Sequence, residues 1–169
     1  MAQIKVNKMK KTLLLIITLF ITGICLGQTY DQIVETYDNG FPKVIKTYKV
    51  SKGRLESVKE ITWYVNGQKK EEKSFKDGER YGLHTKWYDN GQKKEEGTWK
   101  DGKRDRLWTA WLKNGQKKEE ATFKDGERYG LHTKWYDNGK KRAEGTFKDG
   151  ELISEQCWDE AGNETEECN

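Results

Sequence analysis

One spacing constrains this chain more than its composition does. The segment Trp63-Tyr64-Val65-Asn66-Gly67 returns as Trp87-Tyr88-Asp89-Asn90-Gly91, Trp111-Leu112-Lys113-Asn114-Gly115 and Trp135-Tyr136-Asp137-Asn138-Gly139, each 24 residues after the last. A second marker sits between them and keeps the same step: Phe75-Lys76-Asp77-Gly78, Trp99-Lys100-Asp101-Gly102, Phe123-Lys124-Asp125-Gly126 and Phe147-Lys148-Asp149-Gly150. A fixed period of this length marks a stack of like units, each burying its apolar groups against its neighbours. The units fall near 30–53, 54–78, 79–102, 103–126 and 127–150, with a partial unit at 151–169. The front step, from Gly40 to Gly67, is three residues longer than the period and holds the one proline, Pro42, and the last unit is incomplete, as expected of units that cap an array. Phe75–Gly91 and Phe123–Gly139 are identical over 17 residues, whereas the unit between them has Trp108 where these have His84 and His132.

Glycines alternating at steps of 11 and 13 would break most helices, and no stretch carries a helical period. Asn-Gly supplies the positive backbone angles of a two-residue type I′ hairpin turn, placed here at Gly67, Gly91, Gly115 and Gly139. Lys-Asp-Gly marks the second turn of each unit. The expected fold is therefore all-β, a meander of antiparallel strands in about five to six hairpin units.

Alternation along a strand assigns faces. Leu83, Thr85 and Trp87 share one side, as do Leu107, Thr109, Trp111 and Leu131, Thr133, Trp135, and this side is expected to pack. On the partner strands a small residue precedes an aromatic by two positions (Gly97 and Trp99, Ala121 and Phe123, Gly145 and Phe147), which leaves room for a ring from the next strand. Trp63, Trp87, Trp111, Trp135, Phe75, Trp99, Phe123 and Phe147 are thus the structural set. The opposite side, with Tyr64, Tyr88, Tyr136, His84, Trp108 and His132, is expected to be wetter and to carry binding. The Lys-Lys-Glu-Glu runs at 69–72, 93–96 and 117–120 mix both signs and suit a solvated surface that discourages edge pairing.

Residues 1–27 have the three parts of a secretory signal: a basic start with Lys5, Lys8, Lys10 and Lys11, an apolar run from Leu13 to Ile24, and small residues at Cys25 and Gly27 before Gln28. The apolar run falls short of the ~20 residues that span a bilayer as a helix. Four of the 32 basic residues lie in this segment and none of the 28 acidic ones, so the remaining chain, 28–169, balances 28 against 28. The positive field that nucleic-acid binding uses is missing from it. Export to a periplasmic, cell-surface or extracellular location permits a disulfide between Cys157 and Cys168, which flank the last Trp-Asp-Glu-Ala-Gly turn as opposed residues of one hairpin would.

The Trp-Tyr-x-Asn-Gly and aromatic-Lys-Asp-Gly-x-x-x-Gly segments, from about Thr36 to Gly162, resemble bacterial MORN-repeat variant proteins, many of which carry the label YwqK-family antitoxin. The resemblance implies an elongated, twisted antiparallel sheet and a binding role toward proteins or, in some members, membrane lipid. An antitoxin-like role is implied by the label.

An enzyme needs unlike groups converging at one place, and repetition distributes like groups along a line. The sequence has no Gly-x-Ser-x-Gly elbow, phosphate-cradling loop, His-Glu-x-x-His or Cys-x-x-Cys. His84 and His132 stand about 19 Å apart if each hairpin adds two strands, too far to share a metal ion. No catalytic residue, metal or cofactor is expected. The expected function is protein binding or scaffolding by an exported module with an elongated or repetitive protein partner. A membrane surface or a polysaccharide is the alternative, and nucleic acid is excluded. Cleavage before Gln28 is checked by the intact mass of the native protein. A chain retaining Met1, or lipidated at Cys25, would refute it.

Overall fold

The structure, a computed structural model, describes residues 28–51 and 53–168, and the segment read as an export signal lies outside them. The described residues form thirteen strands: β1 (Thr29–Thr36), β2 (Pro42–Ser51), β3 (Arg54–Trp63), β4 (Lys69–Lys76), β5 (Glu79–Arg80), β6 (Gly82–Trp87), β7 (Lys93–Lys100), β8 (Lys103–Trp111), β9 (Lys117–Lys124), β10 (Glu127–Trp135), β11 (Lys141–Lys148), β12 (Glu151–Trp158) and β13 (Glu164–Thr165). Neighbours in sequence are neighbours in the sheet, all antiparallel, with β5 pairing only with β4. No helix occurs among the described residues. The hairpin meander expected from the turn spacing is the observed fold.

The two turn types exchange roles relative to expectation. At Asp77-Gly78 both residues have positive φ, 51° and 84°, and Lys76 pairs directly with Glu79, which is the two-residue I′ hairpin; the same geometry recurs at Asp101-Gly102, Asp125-Gly126 and Asp149-Gly150. At Asn66-Gly67 only the glycine is left-handed, at 82°. There Gly67 N donates to Tyr64 O at 3.0 Å and Tyr64 N to Gln68 O at 2.8 Å, so the glycine closes a tight turn as a bulge. Asn66 fits because its Oδ1 accepts from Gln68 N at 3.1 Å, an Asx bond repeated at Asn90, Asn114 and Asn138. The expectation of I′ turns at Asn-Gly is corrected: the asparagine works through its side chain, not through a left-handed backbone.

The three central units each carry a bulge early in their first strand. From Arg128 to His132 is four residues, but their partners Phe123 and Ala121 on β9 are only two apart. The first strand of the preceding unit shows the same surplus of two, Asp105 to Trp108 against Thr98 to Gly97. Because the surplus is even, side-chain alternation carries through it. The bulge needs a left-handed residue, supplied by Gly82 (84°) and Gly130 (74°) in two units and by Arg106 (61°) in the middle one.

The register across strands places His84 opposite Gly97, Trp108 between Gly97 and Ala121, and His132 opposite Ala121 and Gly145. The small-plus-aromatic pairs therefore lie on the histidine face and not with Leu83, Thr85 and Trp87. Trp108 and Ala121 are buried, as are His84 and His132 (2% and 6% exposed), whereas Leu83, Leu107 and Leu131 are 58%, 50% and 53% exposed. This corrects the assignment of the packing face.

Cys157 and Cys168 are bonded, with Cα atoms 5.4 Å apart. They are not an opposed hairpin pair: Cys157 sits across from Thr165, and Cys168 lies past the end of β13. The bond ties down the tail that follows the last strand, and closing a loop of this size contributes about 3 kcal/mol on the chain-entropy account.

The Arg106 bulge gives a direct test. Holding a non-glycine residue in the left-handed region costs about 1 kcal/mol or more. The side chain is 82% exposed and its 3.5 Å contact with Asp105 is worth little in water. Arg106→Gly is expected to raise the stability of the chain by up to about 1 kcal/mol, read from urea unfolding midpoints. An unchanged or lower midpoint would show that this bulge holds no strain.

Candidate functional site

On the histidine face, rings from β6 to β11 pack within the thickness of one sheet. Trp108 lies edge-on to Trp99 (5.4 Å between centroids, 88°), to His84 (5.8 Å, 64°) and to Phe123 (6.4 Å, 76°). It fits because Gly97 has no side chain: a Cβ added there would overlap the indole. Arg104 covers the outer side, its guanidinium 4.2 Å from the Trp108 centroid and 5.2 Å from Phe123. Arg80 over Trp99 (4.8 Å) and Arg128 over Phe147 (5.3 Å) repeat the arrangement in the flanking units. The indole N–H of Trp108 donates to Thr98 O at 3.1 Å, so the buried ring leaves no polar atom unsatisfied.

The two histidines have different partners despite their identical surroundings in sequence. Trp99 Nε1 donates to His84 Nδ1 at 3.1 Å, and His84 Nε2 lies 2.8 Å from Glu71 Oε1. An indole N–H only donates, so Nδ1 accepts, the ring proton sits on Nε2, and His84 donates it to the carboxylate. At His132 the Nε2 to Glu119 contact is kept at 2.7 Å, but Phe147 replaces the tryptophan and offers no donor. The bond from His84, helped by Lys73, holds the Glu71 carboxyl down at about 2 from an ordinary 4.5 despite partial burial. His132 likewise lowers Glu119.

Beside the rings runs a charge row. Glu71 faces Lys86, Lys86 faces Glu95, Glu95 faces Ala110, Ala110 faces Glu119, and Glu119 faces Lys134. Lys86 Nζ reaches Glu95 Oε2 at 3.0 Å, and Arg104 takes the other oxygen of Glu95 at 3.0 Å.

The other face repeats a different motif. Thr85, Thr109 and Thr133 are buried and donate to Glu96, Glu120 and Glu144 across the ladder at 3.0 to 3.3 Å. Lys93 binds Glu96 at 2.7 Å with its Nζ 5.8 Å from the Trp111 ring, and Lys69 with Trp87, Lys117 with Trp135 and Lys141 with Trp158 do the same. With the first glutamate of each run bonded on the histidine face, both glutamates and the first lysine of each Lys-Lys-Glu-Glu run are spent on intramolecular pairs. Leu83, Leu107 and Leu131 stand outside this motif in an exposed row.

Of the residues expected to carry binding, His84, His132 and Trp108 are buried, because the register sets them against glycine or alanine; their placement on a solvated face is corrected. Tyr64, Tyr88 and Tyr136 are half-buried, and their hydroxyls donate to the carbonyls of Trp87, Trp111 and Trp158 in the next unit at 2.8 to 2.9 Å. These bonds tie one hairpin turn to the next, and Leu112 lacks a hydroxyl to make one. Of the structural set, Trp63, Trp87, Trp111, Trp135, Phe75, Trp99, Phe123 and Phe147 are all half-buried. The leucines were read from the sequence as packing residues and are exposed instead, and the arginines over the rings and the alanine in the charge row were not singled out. Their signal was the 24-residue recurrence of Leu83 and Arg80 and the break at Ala110, where flanking units have lysine.

With this geometry in place, comparison with known proteins gives one family. The profile of the MORN repeat variant matches residues 80–101 and 128–149, each match running from the arginine that covers a ring to the aspartate of the next I′ turn. No curated protein matches the chain in sequence.

The lowered carboxyl at Glu71 fixes a sign. A group whose folded pKa lies below its unfolded value contributes stability that is complete above the unfolded value and is lost as pH falls toward the folded one. Stability is therefore expected to drain between about pH 4.5 and 2, and a carbon-detected NMR titration should find Glu71 ionised well below the ordinary carboxylate value. Replacing the donor in His84→Phe should move Glu71 back up. Titration of native Glu71 near 4.5 would contradict the assigned bond.

Proposed function

We propose that this MORN-repeat protein is an exported, non-catalytic module that binds an elongated or repetitive protein along its sheet. The observation that carries this is the row Leu83, Leu107 and Leu131, half or more exposed at one repeating position of the threonine face. Successive leucines lie two strands apart, about 9 to 10 Å, so the row offers a line of equal apolar contacts rather than a pocket. The same linear distribution supports a non-catalytic role, since like groups in a line do not converge on one reacting atom. The signal-like segment at 1–27 and the Cys157–Cys168 bond support export.

A membrane surface or a glycan is favoured by a separate feature, the exposed Tyr81 and Tyr129 beside this row, at 43% and 44%. An antitoxin-like role would be one form of protein binding, with a toxin as partner.

The test is capture of partners by the exported chain beside a Leu83/Leu107/Leu131→Thr triple variant. These side chains are exposed, so the variant should melt within about 1 kcal/mol of the parent while losing the partner. A Tyr88/Tyr136→Ala variant reports on the opposite face. Loss of partner only in the tyrosine variant would move the surface to that face. Liposome flotation or glycan-array binding without any captured protein would replace the protein reading.

A further inference from the structure

The charge row on the histidine face has one missing member. In the ladder Glu71, Lys86, Glu95, Ala110, Glu119, Lys134, the positions equivalent to Ala110 in both flanking units are lysines, and Lys86 sits between two glutamates. Ala110 also lies between two glutamates, Glu95 and Glu119, and its methyl group leaves open the space that a lysine stem fills next door. A shallow cleft results, lined by Glu95, Arg104, Trp108, Ala110, Glu119 and Arg128.

The pairing around the cleft is incomplete on one side. Glu95 is saturated, with Lys86 on Oε2 and Arg104 on Oε1, both at 3.0 Å. Glu119 uses Oε1 for His132 at 2.7 Å and, more distantly, for Arg128 at 3.9 Å. Among the described residues no bond is made to its Oε2. Glu119 thus lines the cleft with one carboxylate oxygen unbonded, while the ladder carries a lysine at the position equivalent to Ala110 two strands away on either side.

We propose that this cleft receives a lysine side chain presented by a protein partner, its ammonium on Glu119 Oε2 and its methylene stem along Ala110. The inference rests on the protein-binding function above and adds the chemistry of one contact. A single free oxygen suits an ammonium, a compact point charge, whereas a guanidinium fork needs two acceptors in a plane and Glu95 has none to spare. The aliphatic stem covers apolar surface, as it does at Lys86. The two arginines leave the cleft without a net field, so a lone lysine should bind weakly, with a dissociation constant on the order of millimolar.

The test needs no natural partner. The folded, exported chain is titrated by NMR with Nα-acetyl-lysine amide, with the norleucine analogue, which keeps the four-carbon stem without the ammonium, and with the arginine analogue. The lysine probe is expected to give saturating shifts at Ala110 and at the Glu119 side chain, and the norleucine probe none. Ala110→Lys supplies the group from within, copying residues the fold already carries at 86 and 134, and should weaken the probe by at least about tenfold. Ala110→Met fills the space without charge and should have the same effect, so the test survives if one variant folds poorly. Absence of saturation, equal shifts from norleucine, tighter binding of arginine, or shifts unaffected by both variants would each overturn the proposal. Any of these would leave the leucine-row experiment standing, because that experiment reads the other face.

Discussion

A single-layer sheet has no second layer to pack against, so its burial has to come from neighbours on the same face. In this chain the solution is a tryptophan lying flat over a glycine. Trp108 occupies the space above Gly97 and beside Ala121, meets Trp99 and Phe123 edge-on, and is closed from outside by the Arg104 stem and guanidinium. Trp99, Trp108, Phe123 and Phe147 are each covered by an arginine instead of by an apolar layer, which lets a chain with 36% charged residues bury aromatics at all. Removing such a ring would cost about 3 to 5 kcal/mol, a large share of the stability of a domain this thin.

Polar groups carry a large part of the remaining burial. His84, His132 and the threonines Thr85, Thr109 and Thr133 are inside, and each is paired with a glutamate across the ladder. A buried polar group is tolerated when it is satisfied, and no buried side-chain nitrogen or oxygen among the described residues lacks a partner. The pairs also fix register, since slipping by one residue would leave every glutamate facing the wrong side. Strand order then follows from turns that admit only adjacent pairing.

Repetition with one odd member shapes what the surface offers. Units that share Tyr-Gly-Leu at the bulge and His-Thr-Lys after it flank a unit with Asp105, Arg106, Trp108 and Ala110 in the same places. The substitutions are coupled by packing. A tryptophan at 108 needs the glycine at 97, and its indole takes the place on the sheet that a histidine and its glutamate bond hold elsewhere. One face thus presents an interrupted charge row and the other an uninterrupted row of leucines. A second layer would have hidden one of them.

The period, the positions of the hairpin turns, the residues sharing a side within one strand and the two cysteines that pair were legible in the sequence, because turn chemistry and the alternation of a strand are local properties of neighbouring residues. Which side packs was not. Leu83 has the composition of a core residue and His84 of a surface one, yet the strand-to-strand register sets His84 against Gly97 and leaves Leu83 facing solvent. Register is a relation between strands, so no single strand carries the mark of what will stand opposite it. The same holds for the turn at Asn66, where the backbone angle is decided by the ladder it closes, and for Cys157, whose neighbour across the ladder is Thr165. Sequence alone determined a repeating one-layer sheet; its tertiary pairing decided which residues that sheet encloses, because in one layer burial depends on what stands opposite and not on how apolar a residue is.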